Sequence, residues 1–595
     1  MKRLSALLAL LFYFSILPAL PGWAATPVIK DLIVKGSPWV DVRAFGTALT
    51  DAPIQAAFDN HVGGNATVYI PAGKYIIGTE LLWNAVDNIT IRGDGIGRTI
   101  LDASALQDIP KRAGLAYNRT WGVLSINPMN MDTGIDAYHY NVVIEGITII
   151  GSTLIPATSV YQKLLVWSTT NNVTFRNCEF IGAYYEAVYG TVSTGKTMTD
   201  QTVENCIFRN NVTGNMYNIN TGISVENVRI INNIFDNGWT AINVLGKSTK
   251  IRGNTLINMR GYSMQLGDGD SAATKGHEGY EITHNTWRGL GSGAVSGATV
   301  FGIGLFTSTL HHTDNSAAQG NIIANNNFID SVSPPGVGAV IPISVQGNAL
   351  VSNNLISGIT TLGTGTSDIA ITAKYASGAS GFQRVSLLNN VVEDTPISRA
   401  GGKGWNFGIF VAGGDNAVYH LGGNKVAGIH SGGYAFFTGV FPSQPIVTFD
   451  GEVYNGNVGT NTALKNFDFG ADTTHYNTPI YGDLLHGLRT AISDDIRGTT
   501  IIDHSQLSDN STTPSVAGGK IWYSNNTNPT SITAFPDAVQ GQVITIMFYD
   551  NNTTIVAGAS MKLQGAVNFV ATPNDTITLF YGFQGKWYEV SRSVN

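Results

Sequence analysis

The sequence predicts an all-β protein, a long parallel β-helix followed by a small antiparallel β-sandwich-like domain. Three observations carry this expectation. Only 13% of the 595 residues are charged while 69 are Gly, so helices laced by surface ion pairs are not expected. A short phrase centred on Asn recurs through the middle of the chain at spacings that suit stacked coils. Near the C-terminus that rhythm gives way to alternating apolar and polar residues broken by turn pairs.

The chain opens with Met1-Lys2-Arg3, a short cationic head, followed by the apolar run Leu4 to Leu20 and then Gly22-Trp23-Ala24. This is the pattern of a secretory signal peptide over residues 1–24. Pro18 and Pro21 interrupt the run, which argues against a membrane anchor. An exported protein is expected, periplasmic or extracellular, with no membrane partner. The 34 Lys and Arg against 41 Asp and Glu give a net charge of −7, and without a basic stripe a nucleic-acid partner is not expected. Two Cys are too few for a disulfide framework.

The recurring phrases run from Asn177-Cys178-Glu179-Phe180 through Asn205-Cys206-Ile207-Phe208, Asn232-Asn233-Ile234-Phe235 and Gly253-Asn254-Thr255-Leu256. They continue at His284-Asn285-Thr286-Trp287, Asn325-Asn326-Asn327-Phe328, Ser352-Asn353-Asn354-Leu355, Asn389-Asn390-Val391-Val392 and Gly423-Asn424-Lys425-Val426. Second positions recur at 28, 27, 21, 31, 41, 27, 37 and 34 residues, a minimum of one coil with variable loops added. Strands of successive coils lie ~4.8 Å apart, so the second position becomes an internal ladder of Cys178, Cys206, Asn233, Asn254, Asn285, Asn326, Asn353, Asn390 and Asn424. Stacked amides can satisfy one another and the turn backbone. These Asn are therefore structural, and Cys178 with Cys206 form either a disulfide or a stacked reduced pair.

Val40-Asp41-Val42-Arg43-Ala44-Phe45-Gly46, Asp51 to Phe58, Thr67 to Tyr75 and Asn88 to Gly95 together resemble the N-terminal module of the pectate-lyase-like superfamily of right-handed parallel β-helix proteins. That superfamily includes polysaccharide lyases, glycoside hydrolases, epimerases and phage tailspikes. The resemblance implies a right-handed coil over residues 25–472, with Gln55 to Asn60 as a short helix plugging its N-terminal end. It implies little about the reaction, because these proteins share a scaffold and differ in chemistry. Residues 473–515, rich in Thr, Ser and Asp, read as a linker. Residues 516–595 read as the C-terminal domain, either a plain cap or a module for homotrimer assembly or glycan contact.

Chemistry is expected on the outer face of one sheet. Aligning strands after each phrase puts Tyr189, Asn218, Asn243 and Gln265 in one outward column, with Tyr184, Tyr185, Trp239 and Tyr262 beside it. Polar side chains suit sugar hydroxyls and aromatic faces suit pyranose rings, so a polysaccharide is the expected partner. Hydrolysis of a glycosidic bond needs an acid and a second carboxylate. The candidates are Asp268 and Asp270 in Gly267-Asp268-Gly269-Asp270, then Glu186 and Asp236, with Glu278 nearby. A lyase or epimerase on a uronate polymer is the alternative, for which Ca²⁺ would be a fitting cofactor and Lys247, Lys250, Arg252 and Arg260 the nearby cations. A non-catalytic glycan-binding adhesin is the third reading. No metal or other cofactor is otherwise implied: His311-His312 lacks a third ligand, and Gly93-Asp94-Gly95 lacks a helix to form a phosphate loop. The expectation is a polysaccharide-degrading glycoside hydrolase acting within the chain.

Overall fold

The structure, a computed structural model, describes most of residues 32–481 and 505–594. Outside the described set lie 1–31, 482–504 and, within the coils, chiefly 155–162, 212–216, 221–224, 268–278, 307–319, 362–367, 375–382, 394–404, 413–416, 439–445, 455–464 and 469–479. The expected signal peptide and His311-His312 are thus outside it. Among the described residues no helix is long and apolar enough to cross a membrane.

Three long sheets of 16, 13 and 13 strands run the length of the coil region. Each coil contributes one strand to each sheet in turn. Arg229–Ile231, Ile234–Asp236 and Thr240–Val244 form one coil, and Lys250–Arg252, Thr255–Ile257 and Tyr262–Gly267 lie in parallel register upon it. This is a right-handed parallel β-helix of the kind the sequence predicts. An antiparallel strand, Leu32–Val34, pairs at its N-terminal edge.

Coils of three short strands need sharp corners, and those corners explain the Asn phrase. The first residue of each phrase sits in the left-handed region: Asn177, Asn205, Asn232, His284, Asn325, Asn353 and Asn389 have φ between 52° and 59°. Gly253 and Gly423 take the same place at 68° and 63°. Asn tolerates this conformation better than most side chains. Gly253 has a second reason, since a Cβ there would lie 2.4 Å from the corner amide Oδ1 of Asn232.

The second residue points inward. Asn233, Asn254, Asn285, Asn326, Asn354, Asn390 and Asn424 stand in one file, each Nδ2 donating at 2.9–3.0 Å to the Oδ1 of the next. The same Oδ1 also accepts the backbone N–H of the Asn before it, and each Nδ2 donates again to a carbonyl of the preceding coil, as Asn285 does to Ile251 at 2.9 Å. The position given to Asn353 belongs to Asn354. Asn353 is the left-handed corner (φ 55°), and the phrase there is Asn353-Asn354-Leu355-Ile356. Two residues on from the ladder, Phe180, Phe208, Phe235, Leu256, Trp287, Phe328 and Ile356 fill the interior at 0% exposure. Phe208 stacks on Phe180 at 5.0 Å and on Phe235 at 4.8 Å between ring centroids. Cys178 and Cys206 head the file as buried, unbonded thiols, and burial, with Cys178 alongside, pushes the Cys206 thiol well above its ordinary range.

The N-terminal plug is an α-helix, α1, over Asp51–Asp59. It starts four residues before the expected Gln55 because Pro53 is tolerated in a first turn, and Asn60 is its C-cap. Ile54, Ala57 and Phe58 are buried, Phe58 stacks on Trp83 at 4.6 Å, and Gln55 bonds both the N–H and the carbonyl of Leu82. The open edge of the first coils is closed in this way. A fully buried pair, Arg119 with Glu80, ties the loop after Asp102 to the same end.

The C-terminal unit has sheets of six and three strands over a separate core that includes Leu507, Val516, Trp522 and Trp587. The expected antiparallel pairing is present between Val543–Phe548, Thr576–Tyr581 and Trp587–Ser593. Its first part is instead parallel: Ile521–Ser524 pairs with Val543–Phe548, and Thr530–Ile532 with Thr553–Ile555. The sheets are therefore mixed, because the chain makes a further two-sided coil before it turns back on itself. Asp550 anchors that coil, accepting from Ser524, Asn526, Asn552 and Thr553 at 2.8–3.0 Å.

Asn285→Ala would leave the buried donors of Asn254 unpaired and is expected to cost about 2–4 kcal/mol, read as a lowered denaturation midpoint. Asn354→Ala should behave alike, whereas Asn353→Gly should change stability by less than about 0.5 kcal/mol, because Gly accepts positive φ. Equal effects at 353 and 354 would contradict the register. Burial alone would raise the Asp550 carboxyl, but bonds from Thr553, Asn526, Ser524 and Asn552 outweigh it and hold it below the usual range. Its stabilising share is thus complete above the ordinary Asp value and lost as pH falls through the lower folded value. Asp550→Asn should destabilise the C-terminal unit at neutral pH and flatten its loss of stability below about pH 4, followed by tryptophan fluorescence.

Candidate functional site

The outer faces of the three sheets differ in chemistry. The first carries charge ladders: Glu145 lies 3.6 Å from Arg92 and 2.6 Å from Arg176. Lys250 of this sheet pairs with Glu281 at 3.4 Å. The second carries Arg209 between Glu179 at 3.0 Å and Asp236 at 3.7 Å. The third has longer strands, eight residues in Thr299–Phe306 and Ala339–Gln346 and ten in Ile429–Thr438, and a different outer surface.

Two inward residues follow one another at the start of several of these strands, such as Ala187-Val188 and Ala241-Ile242, all at 0% exposure. They separate the outer surface into two columns. Backbone register puts Ser125, Val166, Tyr189, Asn220, Asn243, Gln265, Gly304, Ser344 and Thr372 in one. Lys163, Glu186, Thr240, Tyr262, Phe301, Ile341 and Ile369 stand in the other. Tyr189, Asn243 and Gln265 are therefore in file as the sequence indicated. The position assigned to Asn218 belongs to Asn220, which pairs with both Tyr189 and Asn243; the segment leading into that strand is two residues longer than the phrase count allowed.

One charged cluster stands in these columns among the described residues. Lys163 Nζ lies 3.1 Å from Glu186 Oε2, with side chains only 5% and 10% exposed. Adjacent coils bring them together, since Leu164 donates to the backbone carbonyl of Glu186. The same ammonium lies 4.5 Å from the ring centre of Tyr189. Burial lowers the Lys163 amine, partly offset by Glu186. Burial pushes the Tyr189 phenol up, the Glu186 charge adds to this, and a bond with Thr191 works against it. Two coils on from Glu186, Asn243 Oδ1 is buried without a hydrogen-bond partner. Lys163 has a sequence signal that went unused, as the lone cation heading the apolar strand Lys163-Leu164-Leu165-Val166-Trp167.

The aromatic candidates are only partly free. Tyr184 and Tyr185 meet edge to face at 4.8 Å, and Tyr184 also packs on the interior core. Trp239 lies over the corner at Gly261, where a Cβ would come within 2.6 Å of its indole. Tyr262 stacks on Phe301 at 4.8 Å and so belongs to the outer apolar column. Asp236 does not join Glu186. It ends a strand of the second sheet beside Arg209, and the corner Asn237-Gly238-Trp239 carries the chain from there to the third sheet. Asp268, Asp270 and Glu278 fall outside the described residues; they follow directly on the strand that carries Gln265. Among the described residues no three His, Cys, Asp or Glu gather as a metal would need.

Residues 40–265 match the family model described as rhamnogalacturonase A/epimerase, pectate lyase-like. No curated protein sequence matches the chain. Among solved structures the N-terminal fragment of bacteriophage phi29 gene product 12 is 12% identical, with a TM-score of 0.41 and coverage of 72% of each chain. PfbA, a surface adhesin of Streptococcus pneumoniae, is 14% identical with a TM-score of 0.41, covering 72% of this chain and 93% of that one. The A-module of an Azotobacter vinelandii mannuronan C-5 epimerase is 15% identical with a TM-score of 0.29, covering 70% of this chain and 100% of that one. Residues 40–265 thus match a pectate-lyase-like family model and fold as a right-handed parallel β-helix.

Proposed function

We propose that this protein is a polysaccharide-degrading enzyme, a glycoside hydrolase that binds glycan on the outer face of the third sheet. The observation that carries this reading is Glu186, a buried carboxylate whose Oε2 meets Lys163, among neutral polar, aromatic and aliphatic side chains at the neighbouring positions of its columns. Packing does not require a carboxylate there, since Thr240 and Tyr262 hold the same place in later coils. Burying an ion pair costs desolvation that its attraction seldom repays, which favours a role beyond stability. The matched family description, naming a rhamnogalacturonase and an epimerase, supports the same class of partner.

In this reading Glu186, paired with an ammonium, accepts a proton from water or attacks the anomeric carbon. A second carboxylic acid then protonates the leaving oxygen. Asn243 and Gln265 bond sugar hydroxyls, while Tyr189, Tyr262 and Trp239 offer ring faces. The protein acts outside the cytoplasm, as its N-terminal segment suggests.

Lys163 over the Tyr189 ring favours a second reading, elimination or epimerisation at a uronate. There the ammonium would neutralise the sugar carboxylate and the phenol would move the proton. A panel of neutral and uronic polysaccharides, with products read by mass, separates the two. New reducing ends without the absorbance of an unsaturated uronate are expected. That absorbance, or epimerised chains, would select the second reading, and retention without cleavage would make the protein a binder. Glu186→Gln is expected to lower turnover by about 10²–10⁴-fold, with an unchanged circular dichroism spectrum. Full activity in Glu186→Gln would remove this site.

A further inference from the structure

We propose that the outer face of the six-stranded sheet in the C-terminal unit is a second glycan-binding surface, one that takes a neutral polysaccharide. It uses none of the residues of the coil face described above.

Alternate residues of a strand point to opposite sides of its sheet. Ile544, Ile546 and Phe548 are fully buried in the core of the unit, whereas Val543, Thr545 and Met547 between them face out. Cross-strand register then arranges the outward residues in rows. Tyr523 stands in line with Met547, Thr545 with Thr578, and Val543 with Phe580 and Tyr588. Val543 is 45% exposed, and Ile521, in line with Thr545, is 46% exposed. Among the described residues these rows hold no charge between Tyr523 and Tyr588, and Lys562 follows Tyr588 on the edge strand.

The rings on this face are held in place. Tyr523 donates its phenol proton to Gln506 Oε1 at 3.0 Å, and Tyr588 donates to Gln584 Oε1 at 3.2 Å. The Tyr588 ring also lies against the backbone of Gly582, where a Cβ would come within 2.8 Å of it. A ring already fixed loses little freedom when a ligand settles on it. Between the rings, the hydroxyls of Thr545 and Thr578 bond each other at 3.0 Å, and such a pair keeps one O–H proton and spare lone pairs for a partner.

That chemistry selects the occupant. Sugar units present C–H faces rimmed by hydroxyls, which match aromatic rings set beside hydroxyl groups, and a face without charge suits a neutral glycan. A second copy of the chain fits less well. Four strands at ~4.8 Å and three rows at ~6.8 Å cover roughly 400 Å², half of the ~800 Å² that each partner gives to a standard stable interface.

Affinity electrophoresis of the full chain tests this, through gels containing xylan, galactomannan, a soluble β-glucan or polygalacturonate. Retardation by a neutral gel is expected, weakened about tenfold by Tyr588→Ala and by Tyr523→Ala, the effect of one lost ring contact. Tyr588→Phe should keep most of it, and Gly582→Ala should weaken it by displacing the ring. Circular dichroism and the melting midpoint report whether each variant folds; if Tyr588→Ala does not, Tyr523→Ala on the other side of the sheet decides. Equal retardation of the wild type and the folded Tyr→Ala variants would overturn the inference, as would retardation by no neutral gel or by polygalacturonate alone. An oligomer in sedimentation that the same substitutions disperse would make a second copy the occupant and overturn it too. Hydrolysis of short oligosaccharides on the coil face should be equal in wild type and variants. Retention without any cleavage would remove the hydrolase reading and leave this one standing.

Discussion

The interior file of asparagines is the interaction on which the rest of this molecule depends. From Asn254 to Asn390 every amide of the file uses both its donors and accepts twice, with aromatic or aliphatic residues stacked beside it. A hydrogen bond contributes only about 1 kcal/mol net, yet leaving a buried amide unpaired costs more than making the bond gains. That asymmetry makes the file a register device. A coil that slipped by one residue would break four bonds and turn its apolar side chains outward. The corner residue just before each ladder position serves the same end, because positive φ lets two short strands meet at a sharp angle.

Fixed register is what converts a one-dimensional repeat into a surface. Once coils align, outward residues far apart in sequence fall into columns, and Lys163, Glu186 and Tyr189 become neighbours across adjacent coils. The outer faces of the first and second sheets use this alignment for exposed ion ladders, which contribute little individually. The third sheet uses it otherwise, placing one buried ion pair against neutral amides and aromatic rings. An apolar column of Tyr262, Phe301, Ile341 and Ile369 runs beside them. Buried charge of that kind is poor support for stability and a better indication of chemistry.

Much of this was legible residue by residue. The Asn phrase named most of the ladder, and the strands Thr240–Val244 and Tyr262–Gly267 could be aligned well enough to put Asn243 beside Gln265. Where the phrase lacked its aromatic residue, at Asn353-Asn354-Leu355-Ile356, the reading slipped by one, because either Asn suits a corner and only hydrogen bonding tells which faces in. The slip from Asn220 to Asn218 came from an insertion between ladder and strand, where loop length is free to vary. Asp236 looked close to the site because it is three residues from Trp239, but a corner lies between them.

The amino-acid sequence by itself determined the coil, most of the inward file and the plug at its start, since each of these is a local preference of the residues involved. Which outer face holds chemistry was decided only in three dimensions. No periodicity brings Lys163 to Glu186, because that contact depends on how adjacent coils align and not on neighbours along the chain. Repetition is written in neighbours along the chain, whereas a site is made by neighbours across it.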